Sequence, residues 1–233
     1  MRVFISVLTT TTLFATIISV PITQPDLPVQ ISVPIPYESA IYIMERESSI
    51  EELKNRDLPL TRVKEIFEAF TDDMEVVGQV AMNLSMRTSV YDKDMGRDPL
   101  MVELLVRLSE TEDMGSRWAV AKNPHTPSHI LQKLAEDKIN LVRALAATNP
   151  NTPSDVLQRL FNDEKIVRDG LSGNPSVPPK ILAVLADDSD KMVRMRVAEN
   201  PSTPKEVLEK LTGDGDENVA KAAEVNLKRR GET

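Results

Sequence analysis

His125 and His129, the only two histidines, lie four residues apart, a spacing that on one helix would offer two nitrogens to a metal. Pro127 falls between them and marks a helix start, so the two do not share a helical face. No metal site is expected there. Asp187, Asp188 and Asp190 form an acidic string without the Gly and terminal Glu of a calcium loop, and read as a solvated turn. The chain has no Cys, which excludes disulfides, thiolate-bound zinc, iron–sulfur clusters and a thiol nucleophile. It has no Gly-rich phosphate loop, no G-x-S-x-G and no convincing carboxylate pair, and with 8 Gly tight backbone cradles are scarce. No catalytic residue and no cofactor is assigned, and an enzyme is not expected. Asn83-Leu84-Ser85 is a formal glycosylation sequon, relevant only in a glycosylating compartment.

More telling are residues that recur. Arg117, Arg143, Arg168 and Arg194 each precede an Asn by six positions: Asn123, Asn149, Asn174 and Asn200. A stack of four Arg could hold phosphates or an acidic partner. The competing reading is structural. Asp137, Asp163 and Asp188 precede an Arg by six, five and six residues, and Arg–Asp pairing would fix the stacking of neighbouring turns. The Asn residues could line a polar groove or cap helix ends. One position after each Arg the sequence varies: Trp118, Ala144, Asp169, Met195. So does the position before each Asn: Lys122, Thr148, Gly173, Glu199. Such variation is expected of solvent-facing positions that carry specificity. Trp118, the only Trp, is a hot-spot candidate on an open face; alternatively it packs against the irregular 84–112 region.

The elements that must hold these residues follow from the prolines. Each repeat Asn is followed by Pro, at Pro124, Pro150, Pro175 and Pro201, in steps of 26, 25 and 26 residues. Three residues on, a second Pro follows Thr126, Thr152, Val177 or Thr203. Asn-Pro should end a helix, because Pro drives the preceding residue out of the α region. Thr-Pro should start one, with Thr as N-cap and Pro at the first helical position, and Thr203–Glu206 has the form of a capping box. Between the signals lie two apolar stripes per unit. The first is Ile130/Leu131/Leu134, Val156/Leu157/Leu160, Ile181/Leu182/Leu185 and Val207/Leu208/Leu211; the second is Val142/Ala146, Val167/Leu171, Val193/Val197 and Val219/Ala223. One unit cannot bury both stripes, so units must stack. About six units are expected: 58–83, 99–123, 124–149, 150–174, 175–200 and 201–226, with residues 84–98 an insertion and Pro99–Leu108 a first helix.

The pattern V-R-x-x-x-A-x-N-P-x-T-P-x-x-x-L-x-x-L over about residues 99–226 resembles the leucine-rich-repeat variant family, an α-solenoid akin to HEAT and armadillo arrays. The resemblance implies a fold, with an interaction scaffold as the usual role, and in HEAT arrays an Asp and an Arg per repeat link neighbouring turns. A member of that family carries an iron–sulfur cluster on Cys; this chain has none, so that feature does not transfer.

The whole reads as a mainly α protein: a right-curving α-solenoid of about six short two-helix repeats with a β-rich N-terminal segment. Residues 1–45 form a β-rich arm, or alternatively a signal or anchor segment, since 3–20 are apolar but rich in β-branched residues and interrupted by four Thr. Val29–Pro36 alternates as a strand does, and Ala40–Met44 is a further short apolar run. Three or four strands would account for it. Residues 46–98 hold the degenerate first repeat and the insertion, 99–226 the regular repeats, and 227–233 a charged, fraying tail. Net charge is −1 over residues 1–40, −5 over 41–98 and −2 over 99–233, which disfavours a general grip on nucleic acid. The expected function is a non-catalytic protein-binding scaffold contacting a partner or a second copy through residues 1–45 and the variable repeat face. The alternatives are a structural subunit of a virion or envelope-associated assembly docked by the arm, and, further off, a helical-repeat DNA-processing enzyme. No membrane association is expected. The protein is placed in the cytoplasm or in an assembled particle, or is secreted if residues 1–20 are a signal peptide.

Overall fold

The computed structural model describes residues 16–22, 29–87 and 97–231, the first two strands by their backbone alone. It divides into two units, 1–54 and 55–233. In the first, β1 (Thr16–Ile22) pairs antiparallel with β2 (Val29–Ile35), Ser19 opposite Ser32. Helix α1 (Tyr37–Leu53) follows. The run Ala40–Met44, expected to be extended, therefore lies inside a helix. Pro36 is its N-cap with φ −52°, an angle already suited to a helix start, and no Pro or Gly interrupts the next 17 residues.

The second unit is helical throughout its described residues. First helices are α2 (Leu60–Ala69), α4 (Pro99–Leu108), α6 (Ser128–Leu134), α8 (Ser154–Leu160), α10 (Pro179–Leu185) and α12 (Lys205–Leu211). Second helices are α3 (Met74–Met86), α5 (Met114–Lys122), α7 (Asn140–Thr148), α9 (Lys165–Gly173), α11 (Lys191–Glu199) and α13 (Glu217–Arg229). The second helices pack on one another in the order α3, α5, α7, α9, α11, α13. Both apolar stripes are buried between the layers, Val207 alone among the first-helix positions being half-buried. Fully burying such aliphatic side chains stabilises by about 1.5–3 kcal/mol each, which is why seven-residue helices, too short to persist alone, hold here.

The helix boundaries show how the prolines act. Asn123, Asn149, Asn174 and Asn200 each leave the α region, with ψ of 123°, 126°, 122° and 127°, and the helix stops there. The starts differ from the sequence expectation. Pro127, Pro153, Pro178 and Pro204 are themselves the N-cap residues, and no side chain caps these helices. The Thr hydroxyls turn backwards instead. Thr126, Thr152 and Thr203 are buried and donate to Val120 O, Ala146 O and Val197 O, six residues earlier, at 2.6, 2.5 and 2.6 Å. Each of these carbonyls, near the end of the preceding helix, also accepts the N–H of the repeat Asn, so the hydroxyl adds a second bond that ties the turn back to that helix. Thr203–Glu206 accordingly makes no capping box. Where Asp is available it caps: Asp73, Asp98, Asp113, Asp190 and Asp216 accept N–H groups of α3, α4, α5, α11 and α13.

Residues 227–230, expected in a fraying tail, are helical or bonded back to the array. Helix α13 runs on past Asn226 to Arg229, and Arg230 reaches back to Asn226 Oδ1 (3.1 Å) and to the carbonyls of Thr203 (2.7 Å) and Pro201 (2.5 Å). Upstream, α3 runs on past Asn83 in the same way. Arg87, again four residues after the Asn, donates to Asn83 Oδ1 at 2.9 Å and to Leu58 O. Asn-x-x-x-Arg thus replaces Asn-Pro at two places in the array.

Candidate binding face along the second helices

Three periodic devices tie the second helices together, and the residues left over form the candidate site. The first is the Asn clamp. Asn149 Nδ2 donates to Ala121 O (2.9 Å) and Asn123 O (2.8 Å) of the preceding unit, while its Oδ1 accepts from Asn151 N (3.0 Å). Asn174, Asn200 and Asn226 repeat the two crossing bonds at 2.6–3.0 Å. Each is buried. The side chain thus does two jobs: it steadies its own helix end and fastens the unit before it.

The second device is the Arg–Asp rung. Arg117, Arg143, Arg168 and Arg194 donate through Nε and Nη2 to both carboxylate oxygens of Asp137, Asp163, Asp188 and Asp214, each 20 residues on and in the next unit, not to the Asp five or six residues before. The Nη1 groups of Arg143, Arg168 and Arg194 donate to Asp137 O, Asp163 O and Asp188 O, the turn of their own unit. Each Asp also accepts a nearby main-chain N–H, from Ile139, Glu164, Asp190 or Asp216. The hydrogen bond from Arg143 holds the Asp163 carboxyl below its usual range, and that from Arg194 does the same for Asp214. Burial pushes Asp137 and Asp188 upward, and the bonds from Arg117, Arg168 and the backbone outweigh it. Their guanidinium groups are thereby occupied on both sides. Asp214 was not picked out of the sequence; its place 20 residues after Arg194 is the signal that could have found it.

The third device carries the position two after each Asn. Asn151 Nδ2, Ser176 Oγ and Ser202 Oγ donate to the carbonyls of Pro124, Pro150 and Pro175 in the unit before, at 2.6–2.9 Å. His125 holds this position in the first regular unit, half-buried, and its Nε2 has no partner. His129 is exposed. Among the described residues no group of three or more His, Asp or Glu could hold a metal ion.

The variable positions are less open than their sequence variation implies. Trp118, Asp169 and Met195 are half-buried and Ala144 is buried at 6% exposure. At Ala144 this goes with the close approach of α7 and α9. A Cβ at Gly170 would lie 2.5 Å from Ala144 O and 2.9 Å from Thr148 Oγ1, so the glycine lets the two helices meet. Part of the 84–112 region against which Trp118 was alternatively expected to pack, residues 88–96, lies outside the described residues. The Trp118 ring, with Lys122 Nζ 5.1 Å from the centroid, lines a cleft of about 760 Å³ between α3, α5 and α7, with Gly78, Met82, Ser85 and Leu145. Leu141, Ile166 and Met192, each eight residues before an Asn, are partly exposed at 37–40% on successive second helices.

No helix among the described residues is long and apolar enough to cross a membrane. No family model matches the sequence, and no curated protein matches it. Solved structures similar to this chain include a leucine-rich repeat variant with a repetitive structural motif, at 19% identity over 80% of this chain and 83% of that one, TM-score 0.44. A designed armadillo repeat protein shares 15% identity over 78% and 98% of the two chains, TM-score 0.41. A further engineered protein shares 20% identity over 80% and 91%, TM-score 0.40. With its Asn clamps, its Arg–Asp rungs and its stacked second helices, the unit 55–233 is a helical-repeat solenoid.

Proposed function

We propose that the chain is a non-catalytic protein-binding scaffold that engages its partner along the second-helix face. The observation that carries this reading is a division of labour on those helices. The Arg and Asn positions are consumed by bonds between units, while the positions beside them change chemistry from unit to unit: Trp118, Ala144, Asp169 and Met195 in one row, Lys122, Thr148, Gly173 and Glu199 in another. A rigid rod with a varied strip is a binding surface that needs no reacting group. Trp118, Asp169 and Met195 are its contact residues, and Ala144 contributes by keeping the strip low between them.

The test is affinity capture by the full chain with mass spectrometry, repeated with Asp169→Ala/Met195→Ala. A partner recovered by the parent and lost by the variant, at an unchanged melting temperature, supports the reading. Equal recovery by both overturns it.

A second reading rests on β1 and β2. A two-stranded sheet is marginal by itself, and within the described residues it has no third strand. We infer that this segment joins a strand of a second copy or a partner. Removal of residues 1–35 should then abolish self-association in sedimentation, and an unchanged sedimentation coefficient ratio would sink the idea.

A further inference from the structure

The ties between units are interrupted at one junction in the described array. Val77 and Thr111 stand where the ladder Arg and Asp would be, six before Asn83 and twelve before Asn123, so no rung joins α3 to the turn before α5. Nor is there a clamp. Asn123 is 2% exposed, and its Oδ1 accepts from His125 N, but its Nδ2 has no partner. The carbonyl it would reach, Ala81 O, corresponds to Ala121 O below Asn149 and accepts instead from Ser85 Oγ at 3.0 Å, because α3 does not end at Asn83. The junction is held on the first-helix layer, by Lys64 to Glu103 (2.7 Å), Arg107 to Glu68 (3.1 Å) and Arg107 over the Phe67 ring (4.5 Å). On the second-helix layer it opens into the Trp118 cleft.

The chemistry of that cleft is specific. Its floor is apolar and low, with Gly78, Ala81 and Ala119 around the Trp118 ring and Met82 at the side. Its volume falls within the ordinary range for ligand pockets. Its one carboxylate, Asp113, is spent on the start of α5, accepting Ser116 N at 2.6 Å and Ser116 Oγ at 2.7 Å. Its one cation, Lys122, is exposed and has no carboxylate partner among the described residues. An aromatic floor beside an uncompensated ammonium suits an apolar group next to a negative charge. A single cation is too little for nucleic acid, which takes several. Leu141, Ile166 and Met192 put partly exposed apolar side chains at equivalent positions on the next three second helices, a spacing along the array that suits an extended chain better than a compact small molecule.

We propose that this cleft binds a linear peptide of a partner protein, one large apolar side chain lying on Trp118 and an adjacent Asp or Glu paired with Lys122. The proposal rests on the protein-binding reading above and names the kind of segment recognised. Trp118 is the only Trp, so its emission reports on the cleft directly. The full chain is titrated at low salt with three acetylated octapeptides: Phe flanked by two Glu, Phe flanked by two Lys, and Gly flanked by two Glu. A saturable change in emission is expected with the first, at roughly tenfold higher affinity than with either control. Lys122→Glu, an exposed change that should leave the far-UV spectrum and melting curve intact, should transfer the preference to the Lys peptide. No saturable change with the first peptide, equal affinity for the Glu and Lys peptides, or an unaltered preference in Lys122→Glu each overturns the proposal. The broader reading fails separately. A captured partner lost by Asp169→Ala/Met195→Ala but kept by Lys122→Glu would leave the scaffold standing and remove the cleft from it.

Discussion

Arg143 and Asp163 meet across 20 residues of chain, Nε to Oδ2 and Nη2 to Oδ1 both at 2.8 Å, while Nη1 of the same guanidinium holds Asp137 O at 2.9 Å. Two units therefore meet at one side chain, its own through Asp137 O and the next through Asp163, and Arg117 of the previous unit is bound to the same Asp137. Arg143→Met removes the donors and leaves a carboxylate and a carbonyl without them. Breaking a buried pair on one side costs about 3–5 kcal/mol; with both partners still 16–18% exposed, about 2–4 kcal/mol is expected. For a domain of this size that lowers Tm by roughly 5–12 °C. Scanning calorimetry checks it, and an unchanged melt would return the Arg row to ligand binding.

The same rungs set the acid limit. Asp137, Asp163, Asp188 and Asp214 all titrate below the ordinary carboxylate value in the folded protein. A carboxyl with a depressed folded pKa stabilises fully above its unfolded pKa, about 3.9, and the contribution is lost as pH falls through the folded value. Stability to urea should therefore hold down to about pH 5 and fall steeply below about pH 4. Asp163→Asn should flatten that fall, since one proton fewer is taken up on unfolding. An equally steep fall in the variant would show that other carboxylates control it.

Asn149 and Asn123 occupy equivalent positions with unequal bonding. Asn149→Ala removes two crossing bonds and one acceptor, whereas Asn123→Ala removes only the acceptor for His125 N. At about 1 kcal/mol per bond, Asn149→Ala should cost about 3 kcal/mol and Asn123→Ala about 1 kcal/mol. Urea denaturation of the two variants gives the difference directly. Equal costs would mean that the Asn123 amide finds a partner in solution, and that the α3–α5 junction is closed like the others.

The sequence carried the repeat because punctuation by Pro is local: Asn-Pro acts on the backbone of the Asn itself, and the start of α4 at Pro99 follows from Asp98 and that Pro. What it did not carry were effects that need a neighbour. Thr126 has the residue type of an N-cap, but whether its hydroxyl points forward or back depends on the carbonyl of Val120, which the packed turn brings within 2.6 Å. Ala40–Met44 has no periodicity long enough to tell strand from helix, and its helical state follows from the 17-residue context of α1. The Arg–Asp partner was misplaced for the same reason. Spacing along the chain favoured the nearer Asp, while stacking brings the one in the next unit to hand. The cleft lay beyond reach altogether, since it is made by what Val77, Thr111 and Asn123 fail to do at one junction.

Gly170 and Gly78 separate helix propensity from packing. Both are interior to second helices, where Ala should be better by about 1 kcal/mol. At Gly78 a Cβ meets nothing within 4 Å, so Gly78→Ala should raise stability by about 0.5–1 kcal/mol. At Gly170 the Cβ would sit 2.5 Å from Ala144 O, a backbone atom that cannot swing aside as a side chain could. Gly170→Ala must push α9 off α7 and strain the neighbouring bonds from Asn174 Nδ2 to Ala147 O and Asn149 O. The overpacking penalty of about 1–3 kcal/mol exceeds the propensity gain, so net destabilisation is expected. Thermal unfolding of the two variants should move in opposite directions. A stabilised Gly170→Ala would show that α7 and α9 can part without cost, and that Ala144 is as open as its neighbours on the strip.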